Sequence, residues 1–243
     1  MIRQDEVPSP RPVLVGISHG TSSTHGQRAI ARLMNAVASM DAAILVRSGF
    51  VDVQQPTIAE TLASVPTECR SVVVPLLLSA GYHVHVDLTK ATRGLAPRVM
   101  LANALGPDPR LITILCRRLR DAGRRPDDVV ILAAAGSTDH RALEDCRSVR
   151  DRLAEELGNE VHAAFLSATE PSLADTIARI RDTHPGRRIL VSSYLLAPGY
   201  FHSLIEGSKA DVVTAPLLTA DGAIPTGLVQ LIHDRYLAAI ARP

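Results

Sequence analysis

Three side chains in this sequence could do chemistry together: His19, Asp52 and His83. Each follows a short apolar run that reads as a β-strand, and the third run is the most marked, Val72-Val73-Val74-Pro75-Leu76-Leu77-Leu78-Ser79-Ala80-Gly81-Tyr82-His83. Residues just past the carboxyl ends of parallel strands gather in the crevice where open α/β sheets bind ligands. Two imidazoles and a carboxylate that leave coordination positions open suit a divalent ion such as iron, cobalt, nickel or zinc, and the donor set alone does not choose among them. Neutral imidazole also accepts protons near neutral pH. Metal binding and proton removal are therefore the two chemistries on offer, and they compete for the same side chains.

The elements that must position these residues repeat as strand, turn and helix. Val13 to Ile17 is a strand that runs into Ser18-His19-Gly20-Thr21-Ser22-Ser23-Thr24, a glycine and hydroxyl cluster suited to capping a helix with Ile30, Leu33 and Val37 on one face. Ala43 to Val46 reads as the second strand, followed by Ser48-Gly49-Phe50-Val51-Asp52, and Pro56 can open a helix carrying Ile58, Leu62 and Val65. The run at Val72 is too short to span a membrane and reads as a strand buried on both faces, with Gly81 easing the backbone out of the sheet. Val99 to Leu105 is a fourth strand, and a helix after Pro109 turns Leu111, Ile112, Leu115 and Leu119 inward. The fold class is α/β, with parallel sheets and helices on both faces.

The pattern then starts again. Val129 to Ala134 with Ala135-Gly136-Ser137 matches Val13 to Ser18 with His19-Gly20-Thr21; Phe165 to Leu173 matches Phe50 to Ile58; Leu195 to Tyr200 matches Leu77 to Tyr82. Anchors recurring in the same order at nearly constant spacing are what duplication of one domain leaves behind. The expected organisation is a loose tail over 1–12, an N-terminal lobe over 13–122 carrying the active site, a charged linker over 123–128, and a degenerate second lobe over 129–243, with a cleft between the lobes. Side chains needed only for packing tend to survive in both copies. His19, however, becomes Ala135, Asp52 becomes Ser167 and His83 becomes Phe201, while the turn glycines persist. One working site, in the first lobe, is the expectation.

Blander roles compete with each assignment. A histidine at a strand end is often a polar group satisfied at a helix N-terminus, and Asp52 could form an Asx turn or cap the helix near Pro56. His85 alternates with His83 and would point the other way in an extended chain, so it ranks second. His202 adjoins the position matching His83, so a place facing the cleft is open to it, with the surface as the expectation; the remaining histidines have no supporting pattern. Thr21, Ser22 and Ser23 could offer hydroxyls and N–H groups to carboxylates or phosphates, or serve as an ordinary cap. No Walker lysine or GxGxxG spacing supports a nucleotide. Ser18-His19-Gly20 is similar to the Arg-His-Gly start of histidine phosphatases but lacks the arginine.

Composition narrows the partners. Twenty-six Lys+Arg against 25 Asp+Glu leave a formal charge of +1, and aromatics are only 3%, so neither an electrostatic footprint for nucleic acid or an anionic membrane nor a base-stacking platform is present. Cys69, Cys116 and Cys146 are scattered, form no CxxC pair and read as reduced structural thiols. Residues 1–12 lack the apolar core of a secretory signal. A cytoplasmic monomer is expected.

Leu14-Val15-Gly16-Ile17-Ser18-His19-Gly20-Thr21, Gln55-Pro56-Thr57-Ile58, the block from Val73 to Asp87, and Leu105-Gly106-Pro107-Asp108-Pro109 together resemble the class II chelatases, in particular the sirohydrochlorin chelatases of the CbiX/SirB type. The resemblance covers nearly the whole chain, since the long members are two fused copies of the small form. It implies insertion of ferrous iron or cobalt into sirohydrochlorin, release of two pyrrolic protons and no cofactor beyond the substrate metal. The implied ligands and proton acceptors are His19 and His83, assisted by Asp52, where the family more often has glutamate. Thr21, Ser22, Arg47, Tyr82 and His85 complete the expected substrate-binding set, with Arg47 placed at the cleft rim.

Overall fold

The computed structural model describes residues 11–79 and 88–242. Its elements are β1 (Val13–Ser18), α1 (Thr24–Met40), β2 (Val46–Phe50), α2 (Ile58–Ala63), β3 (Ser71–Pro75), a helical segment α3 over 88–92, β4 (Val99–Leu101) and α4 (Pro109–Asp121) in the first half. The second half has β5 (Val129–Ala134), α5 (His140–Leu157), β6 (Val161–Phe165), α6 (Leu173–Thr183), β7 (Ile189–Tyr194), α7 (Tyr200–Glu206), β8 (Val212–Val213) and α8 (Thr226–Ile240). Two four-stranded sheets result, ordered β2-β1-β3-β4 and β6-β5-β7-β8, and every pairing is parallel. The α/β class, the repeat and the two sheets are as the sequence predicts.

Strand alternation sorts the core. Val13, Val15, Ile17 and Val73 point one way, onto Ile58 and Leu62 of α2 and Leu88 of α3, while Leu14, Val72 and Val74 point the other way. In the second sheet Ile131, Ala133 and Val191 pack on Leu173 and Ile177 of α6 and Ile205 of α7, whereas Val130, Leu132 and Leu190 turn the opposite way. The two inward-facing sets share one continuous core with residues of α1, α4, α5 and α8. The molecule is thus a stack of five layers, helix, sheet, helix, sheet, helix, whose middle layer serves both sheets.

The middle layer is built by exchange. Helix α4 closes the first repeat in sequence yet packs against α5 and β7 of the second, and α8 crosses back onto α1, β3 and β4 of the first. Polar contacts fix the crossing. Arg235 of α8 donates to the carbonyls of Ala104 and Leu105 at 2.8 and 2.9 Å, and the buried Tyr236 hydroxyl donates to Pro12 at 2.7 Å. Arg118 of α4 reaches the carbonyls of Pro216 and Leu217.

Asp108 caps α4 at its N-terminus, with Pro109 following at the position where a missing N–H costs nothing. Its carboxylate accepts from the Arg110 backbone and guanidinium and lies 3.6 Å from Arg235 of α8. Burial pushes this carboxyl up, but the Arg110 hydrogen bonds and the charges of Arg110 and Arg235 outweigh burial and hold it below its usual value. A depressed folded pKa means that the contribution to stability is complete above the unfolded value of about 3.9 and is lost as pH falls through the folded value. Asp108→Asn keeps a competent cap and removes the charge. Urea unfolding is expected to show a loss of about 1–2 kcal/mol at pH 7 that shrinks steadily below about pH 4.

Several element boundaries differ from expectation. The second strand begins at Val46, where the sequence reading ended it: Ile44 is a buried plug in the preceding turn, and the strand itself is an edge carrying exposed Arg47. Pro56 does not open α2; Thr57 does the capping, in a reciprocal box with Glu60. The fourth strand ends at Leu101, although Leu105 N–H still bonds the Leu77 carbonyl at 2.9 Å. The segment 123–128 is tied down, with Asp128 only 2% exposed and Arg187 donating to the Asp127 carbonyl.

Candidate active site

The order β2-β1-β3-β4 places β1 between neighbours reached by connections of opposite direction, so a crevice opens past its carboxyl end. Here the chain builds the site from two turns locked together. The β1–β2 ladder continues beyond the strands: Val51 N–H bonds the Ser18 carbonyl and Asp52 N–H bonds the His19 carbonyl, both at 2.9 Å. Gly20 follows with φ +97°, and a Cβ built on it would stand 2.0 Å from the Asp52 carbonyl oxygen. Only glycine permits both that conformation and that approach. His19 and Asp52 are thereby held side by side on neighbouring strands, and both are exposed.

Hydrogen bonds around the turns complete the clamp. Gln54 Oε1 accepts from Thr21 N–H at 2.9 Å, and Gln27 Nε2 donates to the Thr21 carbonyl at 2.8 Å, gripping the two peptide groups that flank Thr21. Asp52 Oδ1 accepts from Val53 N–H at 2.7 Å, so the aspartate keeps part of the local turn role that its type allows. Ser23 is the cap of α1, accepting from Gly26 N–H, and Thr21 Oγ1 accepts from Ser23 N–H at 3.1 Å. Ser22 is exposed on the cleft side. The sequence places Gln54 and Gln27 without any motif; their polar reach across to Thr21 appears only once the turns are folded.

The second lobe repeats the backbone without the donors. Gly136 has φ +95° and sits equally close to the Ser167 carbonyl, whose residue bonds Ala135 as Asp52 bonds His19. Where His19 stands in the first lobe the twin has Ala135, and the Ser167 hydroxyl folds back to donate to the Ala135 carbonyl at 2.9 Å. The turn geometry is therefore common to both lobes, and the imidazole and carboxylate are present at these positions in the first lobe only.

The two sets of turns face a shared cleft of about 660 Å³. His19, Thr21, Ser22 and Gln54 line it from the first lobe, and Ser137, Thr138, Tyr200 and Phe201 from the second. Its floor is apolar, with Leu76, Leu78, Leu143 and Leu195, so a flat ring with an apolar face can lie there while its polar edge meets the turns. The lobes touch closely beside it: a Cβ on Gly26 would lie 2.2 Å from the Pro198 carbonyl oxygen. Cys146 also lines the cleft, and burial, followed by the nearby Asp145 charge, pushes its thiol up to about 12, which keeps the free thiol protonated at neutral pH.

Tyr194, at the end of β7, reaches across from the second lobe and donates its hydroxyl to the Leu78 carbonyl at 2.9 Å. It thereby anchors the chain just before the segment that carries the second histidine block. Burial raises this phenol well above its usual value, so it remains a donor. Tyr194→Phe is expected to lower stability by about 1 kcal/mol in urea unfolding, through the half-buried Leu78 carbonyl left without its partner.

Not every expected residue is brought to the cleft: Asp52 is exposed on its turn but is not among the residues lining the cleft, and its Oδ1 is taken by Val53 N–H. Arg47 lies three residues before the carboxyl end of edge strand β2, outside the cleft lining, and donates to the adjacent Val46 carbonyl at 3.2 Å. The placement at the rim fails because Arg47 belongs to the strand itself and not to the loop after it. His202 is half-buried in the cleft wall and pairs with the Thr214 carbonyl at 3.3 Å, contrary to its expected surface position. His83, Tyr82 and His85 lie outside the described residues. Among the described residues no group of three or more histidine, cysteine or acidic side chains could hold a metal ion, so His19 and Asp52 supply at most part of a ligand set. No described helix is long and apolar enough to cross a membrane.

Known proteins are similar to this chain in sequence or in fold. A sirohydrochlorin cobaltochelatase of Methanosarcina barkeri is 22% identical over 123 residues, which span 45% of this chain and 95% of that protein. One of Sulfurisphaera tokodaii is 32% identical over 83 residues, 33% of this chain and 69% of that protein. The structure of SirB from Bacillus subtilis with Fe3+ superposes with a TM-score of 0.79 at 19% identity, covering 95% of this chain and 96% of that one, which shows a common fold. A sequence model of the family CbiX matches residues 13–122 and 129–215, both repeats of this chain and well over half its length. With the duplicated sheets and the histidine turn, that match establishes that the chain belongs to the CbiX family.

Proposed function

We propose that the chain is a sirohydrochlorin chelatase that inserts a divalent metal into the ring, with His19 and His83 as metal ligands and proton acceptors and Asp52 assisting. The observation that carries this reading is the contrast between the lobes: a shared cleft, two nearly identical turn geometries, and on one side only a histidine lining the cleft, its turn bonded to the one that carries Asp52. The relatives named as sirohydrochlorin cobaltochelatases support the substrate class.

The chemistry balances without a cofactor. The ring brings two pyrrolic N–H groups and the metal brings two positive charges; two N–H bonds break, metal–nitrogen bonds form, and two protons leave. His19 on its turn can hold the incoming metal with positions open to ring nitrogens, and a neutral imidazole takes a pyrrolic proton as the metal moves off it. Asp52, one turn away, offsets the metal's charge and favours its approach. The apolar floor excludes water from the ring face, which strengthens these interactions. Ferrous iron is the expected metal. Cobaltous ion is the second reading, favoured by the names of the two relatives, and the donors suit both.

Anaerobic absorbance of sirohydrochlorin with catalytic protein tests the reading. Many product equivalents per protein, above the spontaneous rate, are expected with ferrous iron or cobaltous ion; a single stoichiometric transfer would instead make the protein a carrier.

A further inference from the structure

From the conformation of Val53 we infer that this side chain is a ring-binding residue, an apolar contact on the face of the tetrapyrrole; the inference rests on the function proposed above. Val53 has φ +65° and is 58% exposed. A β-branched residue in that region is an outlier, because its side chain crowds its own backbone. The conformation closes a three-residue turn in which Gln54 N–H bonds the Asp52 carbonyl at 2.7 Å, a strained form. This same carbonyl rests on Gly20, so the turn is what seats the Asp52 loop on the His19 loop.

The second lobe separates the need for the turn from the need for the valine. Ala168 has φ +63°, and Thr169 N–H bonds the Ser167 carbonyl at 2.8 Å, so the strained turn is present there as well. Alanine suffices to build it. In the first lobe a larger and less compatible side chain occupies the position, mostly in solvent, where it adds little to the core. Val53 is among the residues that line the cleft, with Gln54 and His19, as Ala168 is on the opposite side. Strain retained at an exposed position on a site wall points to a role outside folding. An apolar branched group at the mouth of a cleft with an apolar floor fits the face of a flat macrocycle, and it would settle the ring over the turn that presents His19.

The prediction is that ring affinity falls without a loss of stability. Val53→Gly removes both strain and contact: its Tm is expected to rise, while the dissociation constant for metal-free sirohydrochlorin, read by quenching of ring fluorescence under anaerobic conditions, is expected to rise about tenfold. Val53→Ala keeps the backbone class and loses two methyls, so its Tm stays near the parent value while ring affinity falls about fivefold. Unchanged ring affinity in both variants would overturn the inference, and so would a lower Tm in Val53→Gly, which would make the valine a packing residue. Failure of the parent protein to bind sirohydrochlorin at all would instead defeat the proposed function, which is a distinguishable result.

Discussion

His19→Ala is expected to lower kcat/KM for metal insertion by at least about a hundredfold while leaving urea stability within about 0.5 kcal/mol of the parent. The imidazole is exposed, and the structural work at this position is done by its backbone, whose carbonyl accepts Asp52 N–H. Alanine supports the same backbone, as the second lobe demonstrates with Ala135. Loss of activity without loss of stability is therefore the signature expected of a ligand and base. A variant that unfolds early would show His19 to be a structural histidine satisfied at the start of α1, and one that retains activity within about threefold would remove it from the reaction.

Gly20→Ala and Gly136→Ala form the second test, because the two positions share a conformation and differ only in what lies beside them. At φ near +97° and +95°, with an added Cβ 2.0 and 1.9 Å from a carbonyl oxygen, each substitution must push one turn off its neighbour. Each is expected to cost about 2–4 kcal/mol, from positive-φ strain together with the backbone contact. Activity per folded molecule should nevertheless divide them. Gly20→Ala moves the His19 turn against Asp52, and kcat should fall more than tenfold, since displacements of about 1 Å weaken catalysis on that scale. Gly136→Ala disturbs a turn without donors and should keep most of its kcat once the folded fraction is counted. Equal losses of kcat in the two variants would mean that both lobes contribute to the chemistry.

Much of this architecture was legible because buried parallel strands and amphipathic helices leave strong patterns, and because the repeat could be matched to itself. Val13 to Ile17 and Val129 to Ala134 are apolar throughout for the reason the structure shows: alternate residues enter different cores, both dry. The edge strand Val46–Phe50 was misplaced because half of it meets solvent, and the more apolar Ile44 upstream attracts the assignment. The exchange of α4 and α8 has no local signature. Periodicity shows that a helix has an apolar face but not which sheet receives it, and in this chain two homologous sheets were available. The positions of His19 and Asp52 just past the ends of neighbouring strands were readable from the apolar runs that precede them. Val53 was not, since a valine at positive φ runs against its own propensity and emerges only with the folded turn.

The most direct measurement is anaerobic absorbance of sirohydrochlorin with catalytic amounts of the parent protein and of His19→Ala, each supplied with ferrous iron or cobaltous ion and corrected for the spontaneous reaction. Many turnovers by the parent with at least one metal, and a fall of about a hundredfold or more in His19→Ala at unchanged stability, are the expected results. No acceleration by the parent with either metal, or equal rates in the two proteins, would contradict the assignment of a metal-inserting site to the His19 turn.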